Sequence, residues 1–119
     1  MRVKDEQKKQ ALFNATIKLV NEIGFASSSV SKIAKEAGVS SSTLYVFFEN
    51  KEDLLVSTYL ELKHRMSSAL LVDFDDTFPI RDIIKNSWFR LYTYISEHLD
   101  EYAYLEQFVN SPYSDRVDM

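Results

Sequence analysis

Cysteine is absent from this chain of 119 residues, and glycine and proline occur only twice each. The first absence excludes a disulfide framework and any thiolate metal site, and it fits a reducing compartment. The second leaves few tight turns and therefore favours long helices. No apolar run approaches the roughly 20 residues of a membrane span. The opening MRVKDEQKKQ lacks the apolar stretch of a secretory signal, so a cytoplasmic location and no membrane partner are expected. β-Branched and aromatic residues never fall into a clean alternation, which favours an all-α fold. HExxH, a glycine-rich phosphate loop and GxSxG are also missing. The two histidines, His64 and His98, are too distant in sequence for a local ligand pair. No metal, cofactor or enzymatic role is therefore expected.

What remains is ordinary for a globular protein, with 45% hydrophobic and 27% charged residues. The length suits one domain, or one small domain plus part of a second. The net charge of −4 is unevenly spread: residues 1–48 carry seven basic against four acidic residues, a net of +3, and the remainder seven against fourteen, a net of −7. Such asymmetry points to one basic working face and an acidic body.

Hydrophobic periodicity predicts a first helix from about Lys4 to Ile23. Leu12, Phe13, Thr16, Ile17, Leu19, Val20 and Ile23 form its buried stripe, and Gly24 is the expected left-handed terminator. A second helix starts at Ser28 or Ser29, runs to Ala37 with Val30, Ile33, Ala34 and Ala37 inward, and stops at Gly38. Ser40 caps a third helix over Ser41 to Phe47. Asn50 caps a fourth reaching about Leu71, with Asp53 completing a variant capping box. The segment Asp73 to Pro79 is the clearest break. A fifth helix is expected from Ile80 to His98, with Ile80, Ile84, Trp88, Leu91 and Ile95 on one face. A sixth covers Asp100 to Asn110, and the final SPYSDRVDM reads as irregular.

The second and third helices carry the most informative pattern. Two steeply crossing helices need a small residue at their approach, which Ala34 supplies. The turn needs a residue tolerant of positive φ, which Gly38 supplies. Ile33, Ala37, Val39 and Leu44 provide the apolar flanks. Together these define a helix-turn-helix, whose second helix enters the DNA major groove.

At this point the chain resembles the tetracycline-repressor (TetR) family. The resemblance covers about residues 8–56 and rests on Gly24-Phe25, Ser28-Ser29, Ile33-Ala34, Ala37-Gly38-Val39-Ser40, Thr43-Leu44-Tyr45, Phe47-Phe48 and Lys51-Glu52-Asp53-Leu54. It implies a three-helix DNA-binding domain over residues 1–50. A partial helical regulatory domain follows over 51–119. The implied function is sequence-specific, DNA-binding transcriptional regulation, as a ligand-responsive repressor. Ser41, Ser42, Thr43 and Val46 are the candidates for the groove, and Val46 suits a thymine methyl. Ser28 and Ser29, Tyr45 and Lys51 are the candidates for phosphates. Two positions depart from the family pattern. Ser42 adds a hydroxyl where the family often has glycine or another small residue. Phe47 replaces a common His or Tyr, so packing there outweighs readout. No arginine lies in the third helix, which removes the commonest bidentate guanine contact. Modest affinity per module and reliance on two modules follow.

Eleven of the sixteen aromatics lie beyond residue 56. Trp88, Tyr92 and Phe108 are the candidates for lining a pocket for a small apolar or aromatic ligand, although residues at helical spacing more often form core. The resemblance further implies a double-stranded DNA operator and a homodimer for a full-length form. It also implies helices beyond those present here, so the chain reads as a truncated form with leftover apolar surface exposed on the fourth to sixth helices. The competing reading is a helix-turn-helix-shaped protein-interaction module without DNA binding.

Overall fold

The computed structural model describes residues 2–71 and 76–117. Among them the chain is helical, in the order α1 (Arg2–Ser27), α2 (Val30–Ala37), α3 (Ser41–Phe47), α4 (Lys51–Leu70), α5 (Ile80–Glu97), α6 (Leu99–Val109) and a short 3-10 turn (Pro112–Arg116).

The boundaries of α2, α3 and α4 follow from cap chemistry. The Ser29 hydroxyl accepts the Lys32 N–H at 3.2 Å, and the Ser40 hydroxyl accepts that of Thr43 at 3.1 Å. At the end of α2, Gly38 is left-handed (φ 77°, ψ 26°). The Val39 N–H then reaches the Ala34 carbonyl and the Gly38 N–H that of Lys35, which is the Schellman pattern. The Asn50 carboxamide oxygen accepts the Asp53 N–H at 2.8 Å. Asp53 reciprocates one residue earlier than a standard capping box, accepting the Glu49 N–H at 2.9 Å.

Two apolar clusters organise the packing. The first joins Leu12, Phe13 and Ala15 of α1 to Ile33, Ala34, Leu44, Phe48 and Leu54. It fixes α2 and α3 against α1 and forms the head of the molecule. The second joins Ile17 and Val20 of α1 to Leu55, Tyr59 and Leu62 of α4 and to Tyr104 and Phe108 of α6. Both α1 and α4 thus serve both clusters. Beside the second, Arg65 donates to Glu61 at 2.9 Å, to Glu101 at 3.2 Å and to Gln10 of α1. Tyr94 of α5 donates to the other oxygen of Glu101. One polar node thereby ties four helices together, and the largely buried Glu101 carboxylate is satisfied from two sides. Burial first, then the hydrogen bond to Glu101, pushes the Tyr94 phenol well above its ordinary range.

Several sequence expectations are corrected. Gly24 has positive φ but extended ψ (83°, 170°), so it does not terminate the first helix in the left-handed form. The chain swings out and makes a further helical turn to Ser27. Ile23, expected inward, is exposed. On α5 the expected face divides: Leu91 and Ile95 are half-buried, while Ile80, Ile84 and Trp88 are exposed. Beside Leu91 and Ile95, the half-buried side of α5 carries Ile83, Ser87, Arg90, Thr93 and Tyr94. The last segment is not wholly irregular, because Pro112–Arg116 forms the 3-10 turn. Tyr113 of this turn packs on Phe25 (ring centroids 5.5 Å apart). Arg116 pairs with Glu52 at 2.8 Å. Residues 73–75 of the expected break, and the final two residues, lie outside the described residues.

Candidate nucleic-acid interface

α3 has two sides of opposite character. Leu44 is fully buried and Phe48, just beyond the helix, is nearly so, which seats the helix on the head. The outer side, at steps of three and four residues, presents Ser42, Tyr45 and Val46. Tyr45 is 52% exposed and Val46 78% exposed. Burying a valine or tyrosine side chain is worth about 1.5–3 kcal/mol, so leaving both in water is notable on a helix whose other face is packed. Ser41 and Thr43 are half-buried at the first turn. The Thr43 hydroxyl lies 3.0 Å from that of Ser40. Phe47 is half-buried against the head cluster, in keeping with a packing role.

The flanking candidates separate. Ser29 sits at the head of α2, where its hydroxyl caps the helix and lies 3.3 Å from that of Ser31. Ser28 is a correction. Its side chain is fully buried, and its hydroxyl donates to the Gly24 carbonyl at 2.7 Å, leaving nothing to offer a phosphate. Lys51 opens α4, as expected, but its ammonium is already engaged and donates to the Phe25 carbonyl at 2.6 Å. Two of its three N–H groups remain after that bond. This tie was not anticipated from the sequence. Its only local signal was the Gly24-Phe25 pair, which marks a turn but not the long-range partner.

The head's positive charge is partly spent internally. Lys18 pairs with Glu36 at 2.6 Å, and the Glu36 hydrogen bond, then its charge, raises the Lys18 pKa above its usual value. Lys32 donates to the Ser27 carbonyl at 3.2 Å. Lys4, Lys8 and Lys35 are exposed on the same head and supply a diffuse positive field.

The candidate ligand pocket of Trp88, Tyr92 and Phe108 does not form. Trp88 and Tyr92 are 68% and 71% exposed. Phe108 is buried in the second cluster, stacked on Tyr59 with centroids 4.4 Å apart. The three therefore share no lining. A groove of about 950 Å³ instead opens along α1, bordered by Gln7, Gln10, Asn14 and Phe47. Among the described residues no group of three or more His, Asp or Glu could hold a metal ion. No described helix is long and apolar enough to cross a membrane.

This geometry can be set beside known proteins. Residues 9–58 match the family model described as bacterial regulatory proteins, tetR family. The whole fold is similar to a TetR family transcription regulator from Marinobacter aquaeolei VT8. That likeness has a TM-score of 0.88 and 34% identity, covering 95% of this chain and 59% of that one. Residues 9–58 belong to the tetR family. A second TetR-family regulator structure, from Haemophilus influenzae, aligns with a TM-score of 0.81 and 28% identity over 92% of this chain and 61% of that one. Among curated sequences, an uncharacterized HTH-type transcriptional regulator from Haemophilus influenzae is 30% identical over 107 residues. The match spans 87% of this chain and 55% of that protein. A fatty acid metabolism regulator protein from Bacillus subtilis is 46% identical over 50 residues, 42% of this chain and 26% of that protein. In each of these four cases the chain spans less than two thirds of the relative's length. The all-α architecture with an N-terminal helix-turn-helix is that of the tetR family.

Proposed function

We propose that this chain is the reading head and part of the regulatory body of a sequence-specific, DNA-binding transcriptional regulator. It is not an enzyme, in keeping with its relatives. The observation that carries the reading is α3: capped by Ser40, seated on Leu44, and presenting Ser42, Tyr45 and Val46 outward. In this reading the head is residues 1–50 and the body residues 51–119, although Leu54 of the body completes the head's core. Ser41, Ser42, Thr43 and Val46 face base edges. Tyr45, Ser29 and the free N–H groups of Lys51 take phosphates. Phe47 supports α3 from beneath.

With no arginine on α3, one head supplies little direct guanine readout, so operator binding relies on two copies acting on paired half-sites. A homodimer in the cytoplasm, acting as a repressor released by a small apolar or aromatic ligand, fits the family. The ligand would act by favouring one arrangement of α4 over another.

The test begins with duplexes selected from a random library by the wild-type protein. Fluorescence anisotropy then compares wild type with the Tyr45→Ala, Lys51→Ala double variant. We expect at least a tenfold loss at about 100 mM salt, with the log–log salt slope shallower by about 0.9 for each phosphate contact removed. Recovery of no preferred duplex, or an unchanged affinity in the variant, would falsify the reading and favour an interaction module.

A further inference from the structure

The two phosphate contacts proposed at the helix starts, Ser29 of α2 and Lys51 of α4, are far apart in sequence. One elbow holds both. Gly24, with φ 83° and ψ 170°, kinks α1 ahead of its last turn in a conformation that a residue with a Cβ resists. The Ser28 hydroxyl returns to the Gly24 carbonyl, and the Ser28 N–H reaches the Phe25 carbonyl at 3.3 Å. The Ser29 N–H bonds the Ser27 carbonyl at 3.1 Å just before Ser29 caps α2. The Phe25 carbonyl also accepts the Lys51 ammonium, so it joins the last turn of α1, the α1–α2 connection and the start of α4.

The side chain of the same residue belongs to the body. The Phe25 ring is held by Tyr104 and Phe108 of α6 and by Tyr113 of the 3-10 turn, with centroids 5.7, 6.4 and 5.5 Å away. Tyr104 is itself anchored to α4 through its hydroxyl on the Leu55 carbonyl at 2.7 Å. A phenylalanine has few rotatable bonds, so a ring fixed on three sides fixes its own peptide unit closely. A lysine has a flexible four-carbon stem, and restraining its ammonium before binding removes part of the ordering cost of engaging a phosphate.

We infer that Phe25 is a positioning residue for DNA binding: gripped by α6 and Tyr113, it sets the carbonyl that aims the Lys51 ammonium at a DNA phosphate. The packing of α6 thereby governs the affinity of the head. This rests on the DNA-binding reading above and names how the body acts on it.

A double-mutant cycle tests it on the full chain. Phe25→Leu keeps an apolar side chain while removing the ring, and Lys51→Gln removes the charge. Exposed Lys35→Gln on α2 serves as the uncoupled control. Affinity for the selected duplex is measured by anisotropy between 50 and 200 mM salt, below the melting midpoint of every variant. Phe25→Leu should weaken binding about tenfold in the wild-type background and far less in the Lys51→Gln background. It should also make the salt slope shallower by up to about 0.9. In the Lys35→Gln background its full effect should persist. Tyr113→Leu, which loosens the ring from the other side, should reproduce the pattern. Equal losses with and without Lys51, at unchanged slope, would overturn the inference and leave Phe25 as core filler. If the wild type binds and Tyr45→Ala weakens it while the cycle is additive, only the Phe25 proposal fails. If the wild type selects no duplex, both readings fall.

Discussion

α3 and α5 both hold bulky side chains in water, but they do so on different foundations. α3 is short, yet its Leu44 is fully buried and its first turn is capped by Ser40. α5 is more than twice as long and buries none of its residues. Its start at Pro79 has no side-chain cap, and it leaves Ile84, Trp88, Phe89 and Tyr92 exposed. An exposed residue on a firmly seated helix is a displayed residue. An exposed aromatic on a loosely seated helix is unfilled packing. The contrast separates the face proposed for recognition from an apolar face that lacks a partner among the described residues, although composition alone would rank α5 as the stickier of the two.

The contrast can be broken most directly at its foundation. Leu44→Ala should destabilise the chain by about 2–5 kcal/mol, as for other deletions in a closed core, read from the urea or thermal midpoint. A loss below about 1 kcal/mol would mean that the head is not the well-packed unit described. Next in size is the polar node between the regions. Arg65→Met removes the donor shared by Glu61, Glu101 and Gln10 and should cost about 1–3 kcal/mol, because it leaves acceptors in a largely buried setting short of partners. Tyr94 still donates to Glu101, which limits the damage. If Arg65→Met proves neutral, the node is ornamental and the apolar clusters alone set the helix arrangement. The smallest effect belongs to α5. Trp88→Ala should change stability by no more than about 0.5 kcal/mol, since the side chain is mostly in water already. A loss approaching that of Leu44→Ala would erase the distinction between the two helices.

The head was the more legible part, for reasons of range. Ser29, Gly38, Ser40 and Asn50 act on backbone groups a few residues away, so their residue types announce the ends of α2, α3 and α4 without reference to the rest of the fold. Ile33, Ala34 and Leu44 lie on stripes that meet a partner close in sequence, and they are buried as expected. The body depends on contacts that sequence patterns do not encode. Periodicity marked α5 as a helix but could not say which side would face α4 and α6. Gly24 signalled positive φ, whereas its extended ψ goes with a Phe25 ring packed against Tyr104 and Phe108 of α6, a long-range contact. Ser28 carries the residue type of a phosphate ligand, and only its burial assigns its hydroxyl to the elbow. The 3-10 turn at Pro112–Arg116 is likewise secured by distant partners, Phe25 and Glu52. Among the proposed contacts, Tyr45 and Val46 were legible as outward because their neighbour Leu44 is so plainly inward. The tie from Lys51 to Phe25 spans 26 positions and left no mark on either residue type.

The exposure of Trp88 has an optical consequence. It is the only tryptophan in the chain and it lies on α5, outside both apolar clusters. The molecule therefore carries a single indole chromophore whose emission reports on the covering of α5 and is blind to the seating of α3. Anything that settles over that face, whether a second copy, a further segment or an added partner, acts on that one indole ring. The chain thus holds a built-in way to watch its least consolidated surface independently of its most consolidated one.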